Sequence, residues 1–575
     1  MRLALLAVVA AMLLAAVPVS AQTADSALAA TAQRYFAEQW KDEPLQATRL
    51  GIHDYDDQIG DFSAAGYARR VERAKRYLAE LDGIDARGLS ADGRADLGIF
   101  RAALQFAALG EVDAMQRWRH DPSTYTRAAA NAVFGLLHRD FAPLPDRLRS
   151  IIARERALPT MLRLGGDQIT SVDATTAEIS KGDIAGTIAF FERVLPPAVA
   201  SVDDAALRRD FSSSNEAVIA SLREFATRMA AAPFAHPSGT YAIGADLFAK
   251  RLALQEATPI SLADYERVGE QSLARTRAEF VATAKKIDPA RSPEAVADDL
   301  GRDHPTADEL LPRAAQDLDQ LRAFVAQHHL ITLPPDWDVK VIPTPEFERQ
   351  TSFASMDAPG PFEKVATQAY YRITPVEPTW SKQRQEEHLA FFNNPYRPII
   401  SAHEVMPGHY LNFVIVKHES ESLIRMVLRS PSFTEGWAHY DEQMIVDEGW
   451  GNGDPRVRLA QLQGALLREC RYLVGLRLHT QGMTIADATR FFMTNAFMGQ
   501  EPAHREALRG TQDPLYGYYT LGKLEILKLR ADYQKKMGRE YSLQRFHDAL
   551  LAHGYPPVAI VRKLILGPND DGSLL

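Results

Sequence analysis

Apolar side chains recur at three- and four-residue steps along residues 64–83 and 216–231, with Arg, Lys and Glu filling the positions between. That spacing puts one apolar stripe on each segment and predicts amphipathic helices packed on a core. Helix starts are also marked. In Ser261-Leu262-Ala263-Asp264, just before Tyr265, a hydroxyl cap is followed three residues on by an acid. Strand-like runs are few: Val339–Ile342 and Tyr370–Ile373 are short, β-branched or aromatic, and soon followed by proline, which cannot extend a ladder. No repeat or low-complexity tract breaks the pattern. The fold expected is mainly α, with a small β-sheet in the C-terminal half. Proline and glycine gather between Pro233 and Gly244, which predicts a boundary between an N-terminal helical lobe, residues 22–235, and a C-terminal helical lobe, residues 245–575.

The opening MRLALLAVVAAMLLAAVPVSA reads as a leader. Arg2 supplies the positive start, Leu3 to Val17 the apolar run, and Val19-Ser20-Ala21 a small-residue cleavage pattern, so residues 1–21 are expected to be a signal peptide cut after Ala21. No cysteine follows to take a lipid, and no later stretch is apolar enough to span a bilayer. A periplasmic or secreted protein without a stable membrane insertion is therefore expected. Loss of Arg2 would shift the formal charge from −9 to −10, an acidic balance that argues against nucleic acid as a partner. At 575 residues and 46% apolar the chain exceeds one ordinary core and is no disordered polymer. Its one cysteine, Cys470, excludes a disulfide framework within the chain and any cysteine-built metal site.

One stretch carries candidate chemistry: Ser401-Ala402-His403-Glu404-Val405-Met406-Pro407-Gly408-His409-Tyr410. Two imidazoles can bind a metal while a glutamate beside the first takes a proton from an activated water. The usual spacing of the two histidines is four residues, which shares a helix face. Here it is six, which on a regular helix turns His409 about 240° from His403. Pro407 removes a helical hydrogen bond and Gly408 accepts unusual dihedrals, so a break that returns His409 to the metal side is expected. A third ligand is sought on a second helix, where Glu435 stands in Ser432-Phe433-Thr434-Glu435-Gly436-Trp437-Ala438-His439-Tyr440. Ser432 and Glu435 also match a capping box, and His439 and Glu442 share the face of Glu435 as alternative ligands or supporting partners.

Several separate blocks, in order from about Arg34 to Leu566, resemble a bacterial family known as domain of unknown function 885. They are Pro44, Ala47-Thr48, Leu50-Gly51 and Asp54-Tyr55-Asp56-Asp57; then Trp118, Asp121-Pro122 and Tyr125; then Arg139-Asp140 and Arg154 to Pro159. The His403-Glu404 and Pro407-Gly408-His409 pairing follows, with Glu435-Gly436-Trp437, Tyr519-Thr520-Leu521-Gly522-Lys523 and Phe546-His547-Asp548-Ala549-Leu550. The family in turn resembles gluzincin metallopeptidases, including the helical, channel-forming peptidases related to angiotensin-converting enzyme. That resemblance implies His403, His409 and Glu435 as ligands of one zinc ion, Glu404 as general base, and two helical lobes around a deep central cleft. The Pro-Gly insertion departs from the gluzincin motif, and Asn412 stands where the family usually has Gln.

The function expected is an exported zinc metallopeptidase. The alternatives are a metal-dependent hydrolase of another amide, such as an acyl-amino acid or cell-wall peptide, and a non-catalytic peptide-binding envelope protein. Peptide hydrolysis builds charge on the carbonyl oxygen, for which Tyr519, in Tyr516-Gly517-Tyr518-Tyr519, is the candidate donor. Arg509 is the candidate holder of a substrate carboxylate. The strand ending at Ile342 is a candidate edge for an extended peptide. His418-Glu419 repeats the dipeptide without a second histidine at a useful offset, and His504, His547 and His553 are assigned to local structure. No Gly-x-Ser-x-Gly elbow points to serine catalysis.

Overall fold

The computed structural model describes residues 19–575, with side chains from residue 24, apart from 111–115, 336, 346–348, 350–351, 421, 571 and 573. The expected leader lies outside the described residues except for Val19–Ala21, which open the helix Val19–Asp42. No helix among the described residues is long and apolar enough to cross a membrane.

The chain is mainly helical, with a small three-stranded sheet in the C-terminal half. The periodic stretches are helices Ala64–Asp82 and Ala205–Ala231, and Ser261 caps Leu262–Ile287 by accepting the Asp264 N–H at 3.0 Å. Strands β1 (Val339–Pro343) and β3 (Ala369–Ile373) fall on the two strand-like runs. A third strand, β2 (Ala354–Asp357), lies antiparallel along β3, while β1 lies parallel on the other side. Its sequence, Ala-Ser-Met-Asp, has neither β-branching nor aromatics, so tertiary pairing rather than propensity makes it a strand.

Apolar burial divides into several cores. One is built only from N-terminal residues between Ile59 and Phe234, and two others from residues beyond Phe248, of which one surrounds the His403 stretch. A fourth joins Leu28, Phe36 and Phe100 to Ile424, so the first helices pack on C-terminal chain. Residues 232–244 connect helices Ala205–Ala231 and Ala245–Gln255.

The N-terminal core holds a buried polar knot. Arg154, with no exposed surface, donates to the Ala132 carbonyl at 2.8 Å and to Thr48 Oγ1 at 2.6 Å, and the Thr48 hydroxyl donates to Asp56. Neighbouring Glu155 is equally buried, and its carboxyl accepts the Ser214 hydroxyl. Burial pushes the Glu155 carboxyl up to about 8 against that one favourable bond.

From these N-terminal residues a clamp reaches the sheet. The Arg139 guanidinium donates to the Gln368 carbonyl at 3.1 Å and pairs with Asp357 at the end of β2, whose other oxygen is held by Arg372 at 2.6 Å. His53 bridges Asp56 and Glu363 at 2.8 and 3.1 Å while its ring stacks on Phe141. The Phe362 N–H donates to the Leu50 carbonyl at 3.0 Å. The loop between β2 and β3 is thus held by the blocks around Leu50, Asp56 and Arg139.

Two glycines set a close helix crossing. Helices Pro431–Asp447 and Tyr518–Met537 meet where a Cβ on Gly522 would lie 1.7 Å from the Ser432 carbonyl oxygen and one on Gly436 2.5 Å from the Gly522 backbone. No side chain fits there.

Two outcomes are expected. In the unfolded chain Glu155 ionises near 4.5, while folded it keeps its proton to about 8, so this group's contribution to stability falls as pH rises between those values, by at most about 1.4 kcal/mol per unit. Thermal melts should therefore show Glu155→Gln more stable than the wild type at pH 8, with the difference vanishing near pH 4.5. Gly522→Ala should cost about 1–3 kcal/mol by forcing the crossing apart, read as a lowered denaturation midpoint.

Candidate functional site

The helix carrying His403, Arg397–Glu404, stops at Glu404, and a second helix, His409–Glu419, begins at His409. The break expected from Pro407-Gly408 is therefore present, and it contains a cis Met406–Pro407 peptide. Backbone bonds close it tightly: the Gly408 N–H donates to the Ala402 carbonyl at 2.9 Å and the Met406 N–H to the Ser401 carbonyl at 3.2 Å. A Cβ on Gly408 would lie 1.9 Å from the His403 carbonyl oxygen, so only glycine permits this closure. The Trp437 indole N–H donates to the Pro407 carbonyl at 3.0 Å, tying the break to the helix that carries Glu435.

The result brings both imidazoles to one carboxylate. His403 Nε2 lies 3.5 Å and His409 Nε2 3.4 Å from Glu435 Oε2, and the two rings meet edge to face at 4.8 Å. One ligand atom from each of the three residues falls within 4.8 Å of the others. Glu435 Oε2 is buried without a hydrogen-bond partner. A buried carboxylate oxygen this near two ring nitrogens is satisfied by a proton on an imidazole or by a cation among the three groups, and the two-nitrogen, one-oxygen donor set fits a divalent metal. The capping role open to Ser432 and Glu435 is not used. Ser430 caps that helix, and Ser432 lies inside it with its hydroxyl on Glu256.

Glu442 and His439, the other acid and base on that helix face, lie behind His403. Glu442 accepts from His403 Nδ1 at 2.7 Å and from Arg468 at 2.8 Å, and His439 Nδ1 lies 3.2 Å from its second oxygen. Burial opposes the charge on His403, but the Glu435 and Glu442 carboxylates overcome it and raise its pKa to about 9. Glu442 is held well below the usual carboxylate range, burial being outweighed by Arg468 and the two histidines. His439 is driven the other way, to about 3, by burial and the nearby Lys523 ammonium, so it stays neutral.

Glu404 accepts the Met356 N–H from β2 at 3.0 Å. Thr374 N–H bonds the Phe353 carbonyl, so alternation along the antiparallel pair turns the backbone groups of Ala354 and Met356 away from β3, toward Glu404. The sheet edge at the site is thus β2, whereas the edge proposed from sequence, β1, lies across the sheet.

Tyr519 opens its helix beside the cluster, with its ring stacked on His403 at 6.4 Å. Arg509 donates to its hydroxyl at 3.3 Å, so the phenolic hydrogen is directed elsewhere. Of the remaining histidines, His547 is buried between the Leu330 carbonyl and the Tyr440 hydroxyl, His504 faces Glu178, and His553 faces Arg425.

Sequence reasoning missed Met356 and Arg468. The backbone N–H of Met356 leaves no trace in residue types. Arg468, however, sits with Glu469 and Arg471 in the long apolar helix Pro455–Thr480, and charges in such a run must find partners.

Two solved structures share this fold. A candidate lipoprotein of unknown function from Shewanella oneidensis superposes with a TM-score of 0.80 at 25% identity, covering 94% of this chain and 99% of that one. A candidate lipoprotein from Colwellia psychrerythraea gives a TM-score of 0.71 at 17% identity over 95% and 98% of the two chains. No curated protein matches. The profile of the family described as bacterial protein of unknown function (DUF885) matches residues 44–565, and the chain belongs to that family.

Proposed function

We propose that the protein is a metal-dependent peptidase of gluzincin type, acting outside the cytoplasm, with His403, His409 and Glu435 holding one zinc ion. The observation that carries this reading is the buried, unpartnered Glu435 Oε2 between two imidazole nitrogens, with the Glu404 carboxylate one residue from His403 and fixed by a backbone N–H. The leader-like start and the candidate lipoprotein structures support an exported location.

A zinc ion in this site supplies Lewis acidity, acidifying a water and polarising a carbonyl. The chain does the rest. Glu404, steadied on one oxygen by Met356, takes a proton from the attacking water and returns it to the departing amine nitrogen, as the C–O bond forms and the C–N bond breaks. Tyr519, its oxygen occupied by Arg509, donates its phenolic hydrogen to the oxygen on which charge develops. Glu442 fixes His403 through Nδ1, so that Nε2 faces the other ligands. Of the outward backbone groups, the Met356 N–H is held by Glu404 and the Ala354 carbonyl by the Ser352 hydroxyl, so the Ala354 N–H and the Met356 carbonyl are the ones offered to an extended substrate.

Protein isolated without chelator should contain about one zinc per chain by elemental analysis, and should cleave members of a peptide library. Metal-free protein that no added divalent ion activates would overturn the reading. Glu404→Gln should keep the metal and lose turnover by at least about 10²-fold, while His409→Ala should lose the metal. Glu442→Gln should weaken metal binding about 10- to 100-fold in a competition titration with a chelator, although it touches no metal.

A further inference from the structure

Three arginines crowd one tyrosine beside the candidate metal cluster. The guanidinium carbons of Arg468, Arg471 and Arg509 lie 5.6, 5.3 and 5.9 Å from the centre of the Tyr519 ring. Two of them are matched by carboxylates: Arg468 pairs with Glu442 at 2.8 Å, and Arg471 holds Glu506 through two bonds of 2.7 Å. Arg509 has no carboxylate in ion-pair distance among the described residues; the polar contact seen is its bond to the Tyr519 hydroxyl. Glu506 also acts on Arg509 electrostatically, so three guanidiniums here share two carboxylates. A half-buried guanidinium without a carboxylate of its own keeps its remaining donors open to water or to an anion.

The position of this charge limits what that anion can be. The Tyr519 ring that carries Arg509 is itself 6.4 Å from the ring of His403. An extended peptide spans at most about 3.5 Å per residue. For a substrate with its scissile carbonyl at His403, His409 and Glu435, these spans put Arg509 within reach of a group one to three residues from the bond. The planar fork of a guanidinium matches a carboxylate through two parallel bonds.

We propose that Arg509 docks the C-terminal α-carboxylate of the substrate, which makes the protein an exopeptidase that releases a short C-terminal fragment rather than an endopeptidase. This rests on the peptidase reading above. Arg509 is a substrate-binding residue in this assignment. It also orients Tyr519, so the phenol is set in place by the same side chain that recognises the chain end. An acidic side chain carries the same chemistry, and the test separates the two sources.

Binding is measured on zinc-loaded Glu404→Gln protein, which cannot turn over, with pooled random tripeptides as free acids and as C-terminal amides. The free acids should bind about 10- to 100-fold more tightly. Adding Arg509→Gln should abolish that preference, and Arg509→Lys, which keeps charge without the fork, should restore part of it. Equal affinity for acids and amides, binding of neither, or a preference that survives Arg509→Gln would overturn the assignment. So would amides with an internal Glu or Asp binding as tightly as free acids through Arg509. An equal loss for acids and amides in Arg509→Gln would overturn it too, because it would mark a structural role. If wild-type zinc protein selects free acids yet cleaves none, the docking assignment stands and the peptidase reading fails.

Discussion

The Glu442 carboxylate is buried where Arg468, His403 and His439 converge, and the arrangement of the candidate site depends on it. A carboxylate taken out of water costs several kcal/mol unless its lone pairs are satisfied, and here both oxygens are engaged. By accepting from His403 Nδ1 it fixes which face of that imidazole looks inward, so Nε2 is turned to Glu435 and His409. The same carboxylates that orient His403 also favour a proton on it, to a pKa of about 9. In the site as proposed, an incoming ion competes with that proton, so the grip that shapes the site also sets a pH dependence on its filling. Arg468 keeps the carboxylate ionised throughout.

The second dependence runs across the sequence. Asp357 is gripped by Arg139 from the N-terminal half and by Arg372 from β3, and Met356, one residue earlier, holds Glu404. The cluster of His403, His409, Glu435 and Glu442 is local to residues 403–442, but the placement of Glu404 is not. This gives a physical meaning to family motifs far from the His403–Glu435 cluster. The block around Leu50 and Asp56, with Arg139 and the buried Arg154, is a clamp on the loop that ends in β3. Likewise Gly436 and Gly522 are the contact that seats Tyr519 against His403.

What the sequence made legible follows from range. The helical periods, the Ser261 cap, and the break at Pro407-Gly408 are encoded within a few residues, and the structure has them. Glu435 was singled out from His439 and Glu442, which share its helix face, by the family resemblance. β2 was not, since Ala354-Ser355-Met356-Asp357 carries no strand signal and owes its form to pairing with β3. Nor was the clamp, whose partners Arg139 and Asp357 are 218 positions apart. The capping alternative at Ser432 is not realised: the cap is Ser430, two residues earlier, which leaves Glu435 to the cluster.

Because Tyr519 is seated by a crossing that only glycines allow, and Glu404 by a strand held from residue 139, the site has a history as well as a geometry. A growing chain that has just released His403 and His409 holds an incomplete set of parts. Synthesis at about 5–20 residues per second leaves seconds before residue 522 arrives to bring the phenol in. The order of the parts along the chain is thus a clock, and a truncated or half-made molecule lacks the assembled machinery.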